Sequence, residues 1–417
     1  MSHAEPVCFP LSCGATLAVE HMPGARSCAV AWLLPVGTSG DPEAAQGEST
    51  VLAELILRGA GDLASRPLSD AFDALGAQRQ SAAAVHHTTI SALCLGDRLP
   101  ELLRLLTMVV RQPRLEEESL DAVRAICIQA LESLRDDPQH LVGLALREHA
   151  MPAPFNRNGY GTRSGLESLT AERLRAAWQA RARPQGTIIG IAGDVHPERT
   201  RDLLETLLAG WTGAAPAVAQ AAPAAMGTHV IHLDTAQTHL CLGYPAPPDG
   251  HPSAYEHRVA ARVLGGATSS RLFTEVREKR GLCYSVGASS AMGKERGLMS
   301  IYAGSTHERA PTTLECILRE VERFEQGITQ DEFNDALVGT KSALVMSGES
   351  SSARAMAIAS SVYRLGRPQS LREVAAEFDA LTLARVNAGI ARDMGSAWRA
   401  QRTQVTVTKV AEPLPPG

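Results

Sequence analysis

The 417-residue chain predicts an α+β fold in which two homologous αβ halves each form a mainly antiparallel sheet backed by helices. The first observation is a repeated segment. Leu169-Thr170-Ala171-Glu172-Arg173-Leu174 and Leu381-Thr382-Leu383-Ala384-Arg385-Val386 stand 212 positions apart. Each carries a Thr placed to cap a helix, and each precedes an apolar β-like run, over 187–192 and 405–410. The second observation is that the starts of the halves agree. Gly14-Ala15-Thr16-Leu17 and Gly227-Thr228-His229-Val230 both open β-like runs, followed by another near 28–34 and near 239–244. A common offset at both ends argues for duplication. The third is the stretch between them, 212–226, rich in small residues and proline, which reads as a linker. The expected domains are therefore 1–211 and 227–417. Helical periodicity fills the rest, over 99–110, 116–134 and 137–150 in the first half and 311–326 and 330–347 in the second. Leu102, Leu105, Leu106 and Val109 show the three-and-four spacing of a helix with one buried face.

Composition narrows the function classes. With 44% apolar residues the chain can bury substantial cores, and a net charge of -5 gives no general reason to bind nucleic acid or an acidic membrane. No apolar run approaches the roughly 20 residues needed to span a bilayer, and residues 1–10 lack the basic-then-apolar pattern of an export signal. Eight dispersed cysteines, with no Cys-x-x-Cys pair, suit small buried residues in a reducing compartment better than structural zinc. A cytoplasmic location is expected.

Residues 265–288 are the most informative. A helix over 270–280, capped by Ser269 or Ser270 and ended by Gly281, places Arg277 near its end, and Tyr284 begins the strand that follows over 283–289. Arg can donate two hydrogen bonds to peptide carbonyls, and a phenol can donate to a carbonyl or to a tetrahedral oxyanion. Gly265-Gly266-Ala267-Thr268 lacks both a Gly-Lys-Ser/Thr ending and dinucleotide glycine spacing, so it reads as a turn. An Arg and a Tyr seven residues apart carry little weight alone. In this glycine- and serine-rich context they resemble the C-terminal half of the pitrilysin-type (M16, insulinase and mitochondrial-processing-peptidase-like) zinc peptidases.

That resemblance covers almost the whole chain and implies a LuxS/MPP-like metallohydrolase fold of two similar halves joined by a linker. It also implies that Arg277 and Tyr284 bind substrate and stabilise the oxyanion. Active relatives carry His-x-x-Glu-His on a helix of the first half, two histidines on one face holding zinc and the Glu acting as base for water. Residues 47–59 match the surroundings of that helix but not its chemistry. Thr50 and Glu54 replace the histidines and Ala53 replaces the base. The third ligand's frame, set by Asp136-Asp137-Pro138, falls on Ala130, and a shift brings Glu132 near. One or two carboxylates without nitrogen or sulfur make a poor tetrahedral zinc site, and a methyl cannot accept a proton. His86 and His87, expected as strand neighbours facing opposite ways, do not replace the missing ligands. Residues 76–85 resemble the family strand that pairs with substrate, which implicates Gln80, Ser81, Ala82 and Ala83; close packing is the competing reading.

The expectation is a non-catalytic subunit that holds no metal, pairs with a homologous chain carrying zinc and an intact His-x-x-Glu-His motif, and helps hydrolyse peptides. Alone it is expected to be inactive. The rival is an inert structural or peptide-binding scaffold of the same fold, and a self-sufficient hydrolase with a relocated metal lacks a visible ligand set.

Overall fold

The computed structural model describes residues 5–411 and residue 414, so the expectation for residues 1–10 falls partly outside the described residues. From the amino end run strands β1 (Val7–Pro10), β2 (Thr16–His21) and β3 (Ser27–Leu34), helix α1 (Glu48–Leu55), the short strands β4 (Gly59–Ala60) and β5 (Leu63–Ala64), and helix α2 (Ser65–Ala74). Strands β6 (Gln78–Ala83) and β7 (Thr88–Leu95) precede helices α3 (Leu99–Arg111), α4 (Glu117–Ser133), α5 (Pro138–Ala150), α6 (Arg163–Glu167) and α7 (Ala171–Arg181). Then come β8 (Ile188–Gly193), α8 (Pro197–Leu207), β9 (Thr228–His232), β10 (Thr238–Ala246) and α9 (Ala254–Gly265). A π turn over Phe273–Glu278 leads to β11 (Cys283–Met292) and β12 (Gly297–Ser305). The chain ends with α10 (Ala310–Phe324), α11 (Gln330–Gly348), α12 (Ser351–Leu365), α13 (Leu371–Asp379), α14 (Leu383–Asp393), α15 (Ser396–Arg399) and β13 (Thr403–Thr408).

These elements form two compact units that interleave along the sequence. The first holds the chain up to Glu132 with Ala153–Ala221 and Val345–Leu371; the second holds Ser133–Pro152, Ala222–Leu344 and the chain from Arg372 onward. In the first unit the sheet runs β1-β2-β8-β3-β7-β6, with only β2 and β8 parallel. In the second it runs β11-β12-β10-β13-β9, with only β13 and β9 parallel. The α+β class and the mainly antiparallel sheets are as expected.

Each sheet is covered on both faces, which is why its central strands read as apolar runs rather than alternating ones. In the first unit Leu17, Val30, Trp32 and Ile189 pack under Leu52, Leu102, Leu106 and Trp178, while Ala29, Ala31, Leu33 and Ile188 face Ala355, Ile358 and Val362 of α12. In the second, Leu242, Tyr244 and Ile301 meet Val259, Ile317 and Phe324, and Cys241, Val405 and Val407 face Val142, Ala145 and Leu146 of α5. Helices α5 and α12 begin 213 positions apart, at Pro138 and Ser351, and so occupy matching places in the repeat. Each closes the sheet whose strands come from the other half of the chain.

Close approach explains how α12 fits. A side chain on Gly190 of β8 would meet the Ala355 carbonyl oxygen at 2.3 Å. A buried ion pair fixes its position, since Arg354 Nε and Nη2 donate to Glu20 Oε2 at 3.0 and 2.6 Å. The duplication also shows in buried polar contacts. Glu48 of α1 accepts from Arg173 Nε at 2.8 Å, and Glu256 of α9 accepts from Arg385 Nε at 2.7 Å. Thr170 and Thr382 cap the helices that carry those arginines, each accepting from the backbone N–H three residues on at 3.2 Å. Six of the eight cysteines are buried and all are free. Among the described residues no helix is long and apolar enough to cross a membrane.

Candidate functional site

Arg277 and Tyr284 lie in the second unit on a turn anchored by two fully buried side chains, Leu272 and Val276. The expected plain helix over 270–280 is not what forms. After Arg271 and Leu272 the backbone widens into the π turn, and Lys279 N–H donates to Thr274 O at 2.9 Å, five residues back. Such turns are uncommon and concentrate at functional sites. Gly281 takes a left-handed φ of 59° and ends the turn as expected, with its N–H donating to Arg277 O at 3.0 Å.

The strand that follows is irregular at the residue of interest. Cys283 pairs with Ser305 and Ser285 with Gly304, so Tyr284 is the extra residue of a β-bulge, and its side chain is 71% exposed. A bulge bends its strand and re-aims a side chain that the pleat would otherwise direct. Arg277 is exposed too, with its guanidinium carbon 4.7 Å from the centre of the Phe273 ring. Burial pushes the Cys283 thiol up to about 11 while the charge of Arg277 works against that rise, which places the guanidinium near the residue preceding Tyr284.

The other basic groups of the turn are committed. Lys279 and Arg280 both pair with Glu275 at 2.6 Å, and Arg271 pairs with Glu332 at 2.6 Å. Hydrogen bonds from Arg280 and then Lys279 hold the Glu275 carboxyl below the usual carboxylate range. Among the described residues neither Arg277 nor Tyr284 has an ion-pair or hydrogen-bond partner. The turn thus presents a bidentate donor and a phenol with their polar bonds unmade.

The first unit holds the residues expected at the positions of a zinc helix. Thr50 Oγ1 donates to the Gly159 carbonyl at 2.9 Å, Ala53 is buried and its carbonyl accepts from Ser81 Oγ, and Glu54 is exposed. Ala130 is exposed on α4, and Glu132, the alternative third ligand, pairs with Arg163. Among the described residues no three His, Cys, Asp or Glu side chains group so as to hold a metal ion. Taken together, a satisfied hydroxyl, two methyl groups and one carboxylate do not fit zinc. The helix is instead braced by structural contacts. Asp41 accepts from Gly47 N–H and Ser49 N–H at 3.1 Å, and buried Arg181 donates to Asp41 and Glu48 at 3.1 Å.

His86 and His87 are not strand neighbours. They lie in the loop joining β6 to β7, where backbone from 84 and 85 accepts from Thr38 and Ser39 and pulls the chain out of the ladder. His86 stacks on Phe155 at 5.4 Å and His87 meets Tyr363 edge-on at 4.4 Å. Residues Gln80, Ser81, Ala82 and Ala83 lie on β6, the outermost strand of the first sheet, and alternate between its faces. Ser81 reaches α1, as just described, and Arg79 reaches Asp73 of α2 at 3.0 Å. Gln78, Gln80 and Ala82 therefore face the other way. Periodicity alone does not mark the π turn, the bulge or the buried Glu48 and Glu256 clusters. The identical Thr-x-x-Arg pattern at Thr170 and Thr382 was the available signal for the clusters.

The family profile for insulinase (peptidase family M16) matches residues 16–162, and the profile for the peptidase M16 inactive domain matches 168–337. An uncharacterized zinc protease of Bacillus subtilis, YmxG, is 26% identical over 392 residues, covering 91% of this chain and 93% of the relative. One of Streptomyces coelicolor is 28% identical over 393 residues, covering 91% and 85%. A crystal structure of a peptidase M16 inactive domain from Pseudomonas fluorescens superposes with a TM-score of 0.87 at 21% identity, covering 99% of this chain and 100% of the other. A protease from Helicobacter pylori superposes with a TM-score of 0.88 at 18% identity, covering 97% and 99%.

Proposed function

Because the chain belongs to the M16 peptidase family, we propose that it is the non-metal subunit of a two-chain zinc peptidase, in which a homologous partner with an intact His-x-x-Glu-His helix supplies the metal and the base. The observation that carries this reading is the contrast between the two motifs. Of the positions that would handle zinc, Thr50 and the Ala53 carbonyl are engaged in structural bonds, whereas Arg277 and Tyr284 stand exposed on a π turn and a bulge without polar partners among the described residues. In this role Arg277 donates to carbonyls of an extended peptide. Tyr284 donates to the carbonyl oxygen as it becomes an oxyanion, so its bond strengthens in the transition state and lowers the barrier. Neither residue activates water, so hydrolysis depends on the partner.

The experiment is co-expression with such a partner, followed by peptide digestion by the complex and by each chain alone. The lone chain is expected to be inert and the complex active. Tyr284→Phe is expected to lower turnover by roughly 10²–10³, the usual cost of losing an oxyanion donor, with co-purification unchanged. Arg277→Ala is expected to lower turnover as well. If both variants turn over at the wild-type rate, these residues leave the mechanism. A zinc-loaded complex that cuts nothing moves the reading to a scaffold.

A further inference from the structure

Five arginines among the described residues lie over an aromatic ring, and Arg277 is held differently from the other four. Arg79 over Phe72, Arg201 over Phe9, Arg258 over Tyr255 and Arg271 over Phe324 each also pair with a carboxylate, those of Asp73, Asp202, Asp249 and Glu332 in turn. Arg277 has the Phe273 ring and, among the described residues, no carboxylate. Its guanidinium carbon lies 4.7 Å from the ring centre, the shortest of the five distances.

Packing of the second unit does not account for Phe273. Leu272 and Val276 tie the turn to the core, whereas Phe273 belongs neither to that core nor to the half-buried residues packed against it. A half-buried phenyl ring at the first position of the π turn gives up part of the burial that would stabilise it. The acidic group closest in sequence on the turn, Glu275, is taken by Lys279 and Arg280. The ring is thus the contact that orients the guanidinium.

A ring and a carboxylate hold an arginine in different ways. A carboxylate accepts N–H bonds from the edge of the guanidinium and offsets its charge, whereas an aromatic ring attracts the cation through its face and leaves the in-plane donors free. Arg277 can therefore be fixed in direction and still donate to carbonyls of an extended peptide. A peptide that covers the guanidinium also removes water from it, which strengthens the attraction to the ring. The place where it is held is close to Cys283, the residue before Tyr284, since the charge of Arg277 opposes the rise of that thiol.

We propose that Phe273 is a positioning residue for peptide binding, its ring stacking on the Arg277 guanidinium and fixing the direction of the N–H donors before a peptide arrives. This rests on the reading of Arg277 as a peptide-binding residue.

The test has two arms. In the first, the full-length chain is isotope-labelled in its arginines and read by NMR, where a ring under the guanidinium moves the Arg277 Nε–H signal upfield; Arg277→Lys identifies that signal by its loss. The upfield shift is expected in the wild type and in Phe273→Tyr, and is expected to vanish in Phe273→Leu. In the second, a fluorescein-labelled octapeptide of Thr and Ala is titrated by anisotropy into the complex with a partner whose motif Glu is changed to Gln, so that peptide is held but not cut. Phe273→Leu is expected to weaken binding by about 3–30-fold, the span between an exposed and a desolvated contact of this kind, and Phe273→Tyr to stay within about twofold of wild type. In an Arg277→Ala background Phe273→Leu is expected to change nothing, whereas a ring that only braces the turn would weaken binding there too and lower the melting temperature. Absence of the shift, a Leu variant that binds like wild type, equal losses in the Leu and Tyr variants, a further loss in the Arg277→Ala background, or no binding at about 1 mM peptide overturns the proposal. A complex that shows the expected binding pattern but cuts nothing when the partner's Glu is intact sinks the subunit reading and leaves this one standing.

Discussion

Truncating Ile358 to alanine tests whether the first unit depends on a helix encoded in the far half of the chain. Ile358 is fully buried between α12 and the sheet. Ile358→Ala removes three carbons, worth about 2.4 kcal/mol of transfer free energy at about 0.8 kcal/mol each. A cavity cost adds to this wherever the surroundings cannot close in. Here six of the ten other buried residues of the cluster are alanines, Ala18, Ala29, Ala31, Ala192, Ala355 and Ala359, and have no reach, which leaves mainly Met22, Leu33, Ile188 and Val362 to close in. The helix already sits so near β8 that a Cβ at Gly190 would lie 2.3 Å from the Ala355 carbonyl. The expected cost is about 3–5 kcal/mol, the upper part of the range for such substitutions.

The site of the loss matters more than its size. Hydrogen exchange followed by mass spectrometry should show protection in β3 and β8 falling by roughly 10²–10⁴, while β10, β12 and β13 stay near wild type. Leu146→Ala in α5 should give the converse, because Leu146 is buried against the second sheet, where a side chain on Gly243 would meet its Cδ1 at 2.9 Å. If Ile358→Ala weakens the second sheet instead, or leaves β3 and β8 within a factor of about ten of wild type, the assignment of α12 to the first unit is wrong.

Two further perturbations follow from ion pairs. Arg354→Met strands the Glu20 carboxylate, 1% exposed, and should cost about 3–5 kcal/mol in urea unfolding, with the double variant Glu20→Gln, Arg354→Met regaining part of it; a single-variant cost below about 1 kcal/mol would show the pair to be dispensable. For Glu275 the folded carboxyl is held low by Arg280 and Lys279. Its contribution is thus present above the ordinary glutamate value of about 4.3 and is lost as pH falls through the lowered one. The melting-temperature gap between wild type and Glu275→Gln should close between about pH 6 and pH 3, and a gap that stays constant would refute the linkage.

Much of the fold is legible from sequence because duplication repeats its local signals. Thr170 and Thr382 announce capped helices at one offset, and the caps form as read. Periodicity cannot say which sheet a helix will cover. Residues 137–150 read as an amphipathic helix of the first half, and nothing in the pattern of Val142, Ala145 and Leu146 reveals that β10 and β13 receive them. The site divides similarly. The identities of Arg277 and Tyr284 stand in the sequence, but the bulge that turns Tyr284 outward depends on how β11 registers against Ser305 and Gly304, a pairing between distant residues. A β-like pattern places His86 and His87 on a strand because it does not reveal where backbone bonds to Thr38 and Ser39 draw the chain out of the ladder.

The two motifs have met opposite structural fates, and that contrast bears on function more directly than either motif alone. At α1 the surrounding groups settle into ordinary bonds: Thr50 to Gly159, Ser81 to the Ala53 carbonyl, Arg181 to Asp41 and Glu48. A region maintained only for packing is expected to look like this, with polar groups satisfied and apolar ones covered. At the second motif a π turn and a bulge interrupt regular structure, and a large phenol is left 71% exposed. Stability alone favours a regular helix and a covered ring, because both irregularities give up ladder geometry and the exposed ring gives up burial. The neighbouring charges show that ion pairs were available to the turn, since Lys279 and Arg280 share Glu275. Arg277 remains outside that arrangement. A surface of this kind fits a docking role whose missing bonds come from a peptide, and it predicts that Tyr284→Ala, which removes the exposed ring, leaves the melting temperature within about 2 °C of wild type while lowering turnover in the complex.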